Sequence, residues 1–218
     1  MKVFPKIMTI EKDSVNQLPG RKLPLVEEFL TLQGEGYHTG RAAYFIRLGG
    51  CDVGCSWCDS RFSWNPDLHS LVDTDMIIEH VIESGTDSVV VTGGEPLMWD
   101  LDYLCRQLKL KNINTFIETS GAYKLSGVWD WICLSPKKNM PPEGKICEKA
   151  HELKVIIQNK NDFEWAEKYR KLVNDECRLF LQPEWSRFQI IIPEIVEYVK
   201  KNPAWRVSLQ SHKYMHIP

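Results

Sequence analysis

Short apolar runs recur along the chain, and each one stops abruptly at polar residues, glycine or proline. Seven of these runs have the length of a strand: 43–48, 88–91, 114–117, 131–134, 153–157, 178–181 and 206–209. They are largely continuous apolar runs that do not alternate with polar residues, which is typical of a parallel sheet covered by helices. We therefore predict seven strands in a mostly parallel sheet.

Helical periodicity fills several of the gaps between these runs. Three helices are predicted, with apolar stripes within 77–82, 163–173 and 192–199. Residues that typically start or stop a helix flank the stripes: Asp73 or Thr74 and Gly85, then Asn161 with Glu164, then Pro193 and Asn202. Asn161 and Glu164 have the spacing of a capping box, and we place Pro193 in a first helical turn.

The alternation of strand and helix predicts an α/β fold. Right-handed crossovers would curl such a sheet into a barrel, and a full eight-unit barrel takes about 250 residues. The chain has 218 residues, so we expect a partial, mostly parallel (β/α) barrel. Residues 1–24 carry three prolines and no periodicity, and we predict that they form an N-terminal extension to a single domain over residues 25–218.

Composition narrows the function classes. Hydrophobic residues make up 43% of the chain and charged residues 26%, which is typical of a globular protein. A net charge of −2 provides no field that would attract nucleic acid, so we expect a small-molecule ligand. No apolar run approaches the ~18–20 residues of a membrane span, and residues 1–20 lack the apolar core of a signal peptide. We therefore expect a cytoplasmic protein with no membrane partner.

Polar residues cluster directly after the predicted strands. The segments concerned are 47–51, 92–96, 118–121, 135–137, 158–159, 182–184 and 210–213. In parallel α/β folds the carboxyl ends of the strands meet at one edge of the sheet and carry the reactive groups. The sequence thus predicts a functional site at this edge.

Three of the seven cysteines, Cys51, Cys55 and Cys58, have C-x3-C-x2-C spacing in a loop after a predicted strand. A structural zinc site needs four ligands, and the nearest further candidate is His69. A redox dithiol of Cys55 and Cys58 leaves Cys51 unused. Three thiolates on a [4Fe-4S] cluster leave one iron with an open coordination position, where a small molecule can bind. We favour the open cluster and keep zinc and the dithiol as alternatives.

The cysteine spacing resembles the signature of radical S-adenosylmethionine enzymes, and Thr92-Gly93-Gly94-Glu95-Pro96 resembles a second segment of that superfamily. Further segments are similar, in the same order, to the 7-carboxy-7-deazaguanine synthase family of the queuosine and deazapurine pathway. These segments are Leu32-Gln33-Gly34-Glu35-Gly36, Phe45-Ile46-Arg47-Leu48, Glu118-Thr119-Ser120-Gly121, Ser135-Pro136-Lys137, Leu181-Gln182-Pro183 and Gln210-Ser211-His212-Lys213-Tyr214. The resemblance runs from Val26 to Pro218.

The resemblance implies a [4Fe-4S] cluster, S-adenosylmethionine and Mg2+ as cofactors. The implied S-adenosylmethionine-binding positions are Trp57, Cys58, Asp59, Gly94, Glu118, Ser135, Pro136, Lys137, Gln182, Pro183, Glu184 and Trp185. Cys51, Cys55 and Cys58 are implied to hold the cluster. Ser60 is implied to bind Mg2+, although the family usually has a threonine at this position.

The implied reaction converts 6-carboxy-5,6,7,8-tetrahydropterin to 7-carboxy-7-deazaguanine by ring contraction and loss of ammonia. The implied substrate-binding residues are Leu32, Gln33, Gly34, Arg47, Thr92 and Pro218, and the implied catalytic residues are Glu35 and His212. By family analogy we expect a homodimer and a flavodoxin-like electron donor. Two alternatives stay open, namely a radical enzyme with another target, such as a glycyl-radical activase, and a zinc-stabilised binding module.

Overall fold

The structure is a computed structural model that describes residues 19–218. Nine strands in this range form one sheet: Lys22–Leu32 (β1), Ala42–Leu48 (β2), Leu71–Asp73 (β3), Ser88–Gly93 (β4), Asn114–Thr119 (β5), Trp131–Leu134 (β6), Glu152–Ile157 (β7), Arg178–Pro183 (β8) and Trp205–Val207 (β9). The α-helices of the same range are Thr74–Glu83 (α1), Asp102–Leu110 (α2), Ile146–Lys149 (α3), Asn161–Arg170 (α4), Phe188–Lys201 (α5) and Ser211–Met215 (α6).

The strands lie in the order β3-β1-β2-β4-β5-β6-β7-β8-β9. From β2 to β9 every neighbouring pair in this order is parallel, whereas β1 is antiparallel to both β2 and β3. The seven parallel strands are the seven that the apolar runs predict. The prediction of an α/β fold with a mostly parallel sheet is therefore confirmed.

The antiparallel strands β1 and β3 were not predicted. Pro24 and the adjacent pair Glu27-Glu28 interrupt any apolar run in β1, and the register with β2 shifts between Leu25 and Glu27. The strand begins at Lys22, within the segment 1–24 that is predicted to be an extension. The rest of that prediction falls on residues 1–18, which lie outside the described residues.

The parallel strands present two chemically different faces. One face, which we call the outer face, is aliphatic and packs with the helices in the main core. Fully buried side chains of the outer face include Ile46, Val91, Ile117, Leu153 and Ile157. The alternate positions form the inner face, which is apolar at Ala43, Val90 and Phe116 and becomes polar at Arg47, Thr92, Glu118, Lys154 and Gln182. Most of these polar positions lie nearer the carboxyl ends of the strands, whereas Lys154 lies in the middle of β7.

All three predicted helices are present, but α4 and α5 differ from expectation at their ends, and α4 stops at Arg170, before Leu172 and Val173 of the predicted stripe. Helix α1 is confirmed, and its N-cap Asp73 accepts a hydrogen bond from the backbone N–H of Asp75 at 3.0 Å. The capping box predicted for α4 is wrong, because Lys160 is the N-cap and makes no side-chain cap bond. The side chain of Asn159 instead accepts a bond from the backbone N–H of Asn161 at 3.0 Å.

The third predicted helix, α5, starts at Phe188, earlier than the pattern indicates. Pro193 therefore lies inside the helix and not in its first turn. Proline removes one N–H donor from a helix, but Pro193 is exposed, so water can bond the carbonyl left without a partner. Helix α2 was not predicted. None of the helices within residues 19–218 combines the length and apolar character that crossing a membrane requires.

Candidate active site

A cavity of about 490 Å3 lies against the polar part of the inner face. Its walls come from the cysteine loop, from the segments that follow β4, β5, β6 and β8, and from the C-terminal residues. The sequence-predicted site residues that line it are Leu32, Gln33, Gly34, Glu35, Arg47, Cys51, Cys55, Trp57, Cys58, Asp59, Ser60, Thr92, Gly94, Glu118, Ser135, Lys137, Gln182, Pro183, Glu184, Trp185, His212 and Pro218. The structure thus brings together residues from 32 to 218.

Pro136 is the one predicted site residue that does not line the cavity. It is buried, and its carbonyl accepts a hydrogen bond from the indole N–H of Trp165 in α4 at 3.3 Å. The flanking Ser135 and Lys137 do reach the cavity. Pro136 therefore shapes this turn from the helix side.

The cysteine loop is fastened to the Gly93-Gly94 segment by backbone hydrogen bonds. The N–H of Gly94 donates to the carbonyl of Leu48 at 2.9 Å, and the N–H of Glu95 donates to the carbonyl of Gly50 at 2.8 Å. A Cβ at Gly93 would lie 2.1 Å from the Leu48 oxygen, and one at Gly94 would lie 2.3 Å from the Gly50 oxygen. Only glycine fits such an approach, so both glycines are needed to seat the loop.

Glu95 connects the ends of two strands beneath this loop. Its side chain is buried and accepts hydrogen bonds from the hydroxyl of Thr119 at 2.5 Å and from the backbone N–H of Ser120 at 2.7 Å. It also accepts from the N–H of Leu97 at 3.0 Å, which caps the turn after β4. Glu95 belongs to the Thr92–Pro96 motif but is not among the predicted site residues.

The three loop thiols are partly exposed and line the same cavity, whereas the other four cysteines are buried. Burial raises the pKa of the Cys51 and Cys55 thiols. Cys58 accepts hydrogen bonds at its sulfur from the indole N–H of Trp64 at 3.3 Å and from the backbone N–H of Ser60 at 3.4 Å. Such N–H donors tune the sulfur ligands of iron–sulfur clusters.

The donor set fits an open cubane cluster. Among residues 19–218 no three His, Cys, Asp or Glu side chains are grouped as ligands of a single metal ion. In a cubane each thiolate binds a different iron, so its three thiolates need not converge on one point. Three soft thiols around one open cavity therefore suit iron–sulfur chemistry.

A buried lysine joins two carboxylates at the floor of the cavity. The ammonium Nζ of Lys154 lies 2.6 Å from Oε2 of Glu35 and 2.7 Å from Oε2 of Glu118, and the lysine side chain is only 5% exposed. The second oxygen of Glu35 accepts a hydrogen bond from the amide of Gln210 at 2.8 Å, and that of Glu118 accepts one from Gln33 at 3.2 Å. These five side chains form one network, which we call the floor network.

Lys154 is not among the predicted site residues, although the sequence contains a signal for it. The residue lies in the middle of a short apolar strand, Glu152–Ile157, where a charged side chain has no solvent to reach. A charge in such a position needs a partner, because an unpaired buried charge is costly. This argument alone would have marked Lys154 as a candidate.

Arg47 lies at one wall of the cavity and already has an acidic neighbour. Its Nε donates to Oε1 of Glu27, directly across from it on β1, at 2.6 Å, and its guanidinium lies 5.8 Å from the ring centre of Phe62. Its two terminal nitrogens form no hydrogen bond within the described residues. Thr92 lies beside it in register on β4. The wall thus offers free N–H donors and a hydroxyl.

Comparison with known proteins identifies the family. The sequence model of the radical SAM superfamily matches residues 45–130. A 7-carboxy-7-deazaguanine synthase of Flavobacterium psychrophilum is 58% identical over 199 residues, which cover 91% of this chain and 94% of the relative. One of a Synechocystis species is 42% identical over 203 residues, which cover 93% and 97%. The crystal structure of QueE from Escherichia coli matches with a TM-score of 0.77 at 31% identity, over 88% of this chain and 96% of that one.

The chain belongs to the 7-carboxy-7-deazaguanine synthase family. It is a radical S-adenosylmethionine enzyme, and a [4Fe-4S] cluster and S-adenosylmethionine follow from the superfamily. The structural match also confirms the partial (β/α) barrel. The predictions of family, fold class and enzyme class are therefore confirmed, while the role of each site residue stays a prediction.

The C-terminal segment of this family member closes one side of the cavity. The N–H of Ser211 donates to the carbonyl of Gly34 at 2.8 Å, and a Cβ at Gly34 would lie 2.2 Å from Nδ1 of His212. Burial lowers the pKa of His212, so its imidazole is neutral at neutral pH. The hydroxyl of Thr31 donates to the carbonyl of Pro218 at 3.5 Å.

Asp59 ties the cysteine loop of the synthase to that same segment. Its Oδ2 accepts a hydrogen bond from Nζ of Lys213 at 2.9 Å, and its Oδ1 accepts one from the hydroxyl of Ser60 at 3.2 Å. Burial raises the pKa of Asp59, but the bond and the charge of Lys213 outweigh this and lower it overall. Asp59 and Ser60 therefore present oxygen atoms beside the thiols.

The opposite wall of the synthase cavity carries Lys137 and the segment after β8. Lys137 donates from Nζ to the carbonyl of Ser135 at 2.8 Å and lies 5.4 Å from the ring centre of Trp57. Burial lowers its pKa. Glu184 is buried and uses its carboxylate to cap the following turn, accepting from the N–H of Ser186 at 2.9 Å.

Proposed function

We propose that this chain converts 6-carboxy-5,6,7,8-tetrahydropterin to 7-carboxy-7-deazaguanine, with ring contraction and loss of ammonia, as a step toward queuosine or a related deazapurine. The observation that carries the proposal is that one cavity is lined both by the three loop thiols and by Arg47, Thr92 and His212. A cavity of about 490 Å3 is in the range of sites for small ligands.

Cys51, Cys55 and Cys58 would hold the [4Fe-4S] cluster, and S-adenosylmethionine would bind beside it in the cavity. When both are bound, they supply the radical that removes hydrogen from the substrate. The protein's own part is to hold that pair next to the inner face and to exclude water. Candidates for contact with S-adenosylmethionine are Trp57, Asp59, Gly94, Glu118, Ser135, Lys137, Gln182, Pro183, Glu184 and Trp185, with Pro136 supporting the turn between Ser135 and Lys137.

Arg47 is the proposed partner of the substrate carboxylate. Its Nε is occupied by Glu27, but its two terminal nitrogens are free within the described residues and can bond a carboxylate in two places. Thr92 beside it can bond a ring substituent. The backbone and amide groups of Leu32, Gln33 and Gly34 and the carboxyl end at Pro218 enclose the rest of the heterocycle in this proposal.

Glu35 and His212 are the proposed proton-handling groups. The ring of His212 has no hydrogen-bond partner among the described residues, and as a neutral imidazole it can accept a proton from a ligand in the cavity. Glu35 is held ionised: burial alone would raise its pKa, but the charge and the hydrogen bonds of Lys154 and Gln210 lower it to about 2.

Mg2+ is proposed to bind at Ser60. The ion prefers oxygen ligands and keeps several waters, so one hydroxyl together with substrate oxygens is a sufficient share. Support comes from the position of Ser60 on the cavity wall, with its hydroxyl bonded to Asp59.

A homodimer and a flavodoxin-like electron donor are proposed on the family resemblance. A cytoplasmic location is also proposed. All seven cysteines are free, and cysteines remain as unpaired thiols in a reducing compartment such as the cytoplasm. Sedimentation of the purified protein tests the dimer, and reduction by a flavodoxin tests the donor.

One assay tests the reaction. Reconstituted protein is incubated anaerobically with reductant, S-adenosylmethionine, Mg2+ and the carboxypterin, and the products are followed by mass. The expected products are 5′-deoxyadenosine and 7-carboxy-7-deazaguanine. Deoxyadenosine without the deazaguanine acid would contradict the proposed substrate and favour a radical enzyme that acts on another target.

A further inference from the structure

Lys154 is the most deeply buried cationic side chain that lines the cavity, and nothing above gives it a function. Its side chain is 5% exposed. It comes from β7, which lies four strands along the sheet from β2, the strand that leads into the cysteine loop. Its two carboxylate partners come from two other parts of the chain, Glu35 from the loop after β1 and Glu118 from β5. Lys154 therefore links three elements through ion pairs.

The cation separates two carboxylates that would otherwise repel each other. Glu35 and Glu118 both approach the same ammonium within 2.7 Å, and both line the cavity. Their other oxygens are held by Gln210 and Gln33. Each carboxylate is thus fixed at both oxygens, and its remaining lone pairs are available to a ligand.

We infer that Lys154 is a positioning residue, whose ammonium holds the Glu35 and Glu118 side chains aimed into the cavity, so that the two carboxylates bind ligands as one unit. The effect on turnover rests on the proposed function, whereas the effect on carboxylate charge does not. A shift of an acidic group by about 1 Å can cost about 100-fold in rate.

Several other titratable groups surround Lys154, and the test must distinguish them. They are Glu35, Glu118, Cys133, Lys137, Glu152 and His212. Burial lowers the pKa of Lys154, but the acidic neighbours raise it well above its ordinary value, so it stays charged. Burial raises the pKa of Glu152 to about 7, so this carboxyl also titrates near neutral pH. Glu152 does not line the cavity and bonds Trp131 and the backbone of Tyr37.

The experiment compares Lys154→Met and Lys154→Gln, which remove the charge, with Lys154→Arg, which keeps it. All are made as reconstituted enzyme in a Glu152→Gln background, so that the neighbouring carboxyl cannot titrate. Lys200→Met, which breaks an exposed ion pair with Glu197, is the matched control. The readouts are kcat and KM between pH 5 and pH 9 and the infrared band of protonated carboxyl groups.

The uncharged variants are expected to lose about 100-fold in kcat/KM at pH 7 and to regain part of it as pH rises. The reason is that burial of Glu35 is then opposed only by the hydrogen bonds of Gln210 and Gln182, so its pKa rises and the carboxylate forms only at higher pH. A protonated-carboxyl band should accompany the loss and titrate with it. The arginine variant should lose only about tenfold and show no such band, since the charge is retained.

Two results would overturn the inference. One is that Met and Gln variants keep kcat/KM within about threefold of the background with an unchanged pH profile. The other is that all three variants lose activity equally with no carboxyl band, which would indicate a structural role alone. If Lys154→Met does not fold, Lys154→Gln, which still donates hydrogen bonds, decides the question. Failure of the proposed function would instead appear as absence of the deazaguanine acid in the parent enzyme, with the infrared result still readable.

Discussion

On the outer face of the sheet, burial removes aliphatic side chains from water, whereas on the inner face it encloses charged groups that must be paired. Ile117 and Ile157 of the outer face are fully buried among other aliphatic residues. On the same two strands, Glu118 and Lys154 turn inward and meet in an ion pair. Adjacent positions in one strand therefore follow opposite rules, because side chains alternate between the faces.

The difference separates the source of stability from the source of chemistry. Burying an aliphatic side chain stabilises the fold by about 1.5–3 kcal/mol. A buried ion pair contributes little net stability, because desolvation offsets the attraction, yet removing one partner costs about 3–5 kcal/mol. The charged inner face therefore adds little net stability, and changes on the two faces should affect different measurements.

The largest effect is expected from a matched pair of cysteines. Cys51→Ala removes a cavity thiol and should abolish turnover, because two remaining thiols do not hold the cluster. Cys105→Ala removes a thiol that is 1% exposed and lies in the main core. This variant should keep the cluster and lose only a little stability. Iron and sulfide analysis after anaerobic reconstitution, together with circular dichroism, measures both. A full iron content in the Cys51 variant would contradict the assignment of the loop.

A second pair of variants tests the two faces on neighbouring residues of β7. Ile157→Ala, on the outer face, should lower the free energy of unfolding by about 2–5 kcal/mol, since a fully buried side chain leaves a cavity. Ile156→Ala, whose side chain lines the active-site cavity, should cost about 1 kcal/mol or less and change KM instead. Urea unfolding and steady-state kinetics measure the two effects. Equal losses of stability would show that the faces do not differ in the way proposed.

The outer face is also the part of the fold that sequence could predict. Its Val, Ile and Leu residues produce the seven apolar runs, so the parallel strands are found almost to their ends. Strand β1 was not predicted because its apolar pattern is interrupted by Pro24 and by the pair Glu27-Glu28. It is an antiparallel strand next to the edge strand β3. Helix α2 was not predicted, although its buried residues Leu104, Cys105 and Leu108 have helical spacing.

On the inner face, the predicted site residues are those that belong to a motif of the family. The cysteine loop and Gly94 are found because their spacing is short and local. The floor network is not local, since Lys154 is 119 residues from Glu35 and 36 from Glu118. The position of Lys154 inside an apolar strand marks it as a charge that needs a partner, but only the fold shows which carboxylates those partners are.

A smaller effect is expected at the wall of the cavity. Arg47→Ala should raise KM for the carboxypterin by about 10- to 100-fold, as expected for loss of a charge-assisted hydrogen bond, with the iron content unchanged. Arg47→Lys should recover part of the loss, because the charge is kept but the two-pronged geometry is not. Steady-state kinetics at limiting substrate measures this. An unchanged KM would leave Arg47 as the partner of Glu27 alone.

Ser60 is expected to give the smallest change, because the side chain alters while the ligating oxygen stays. Ser60→Thr should strengthen apparent Mg2+ affinity by no more than about threefold, since the β-branched side chain has fewer rotamers to lose on binding. Ser60→Ala, which removes the oxygen, should weaken it by about tenfold. Initial rates against Mg2+ concentration measure both. The hydroxyl of Ser60 donates to Asp59, so the alanine variant also frees that carboxylate. A higher Mg2+ affinity in Ser60→Ala would therefore indicate that the ion binds Asp59 and not Ser60.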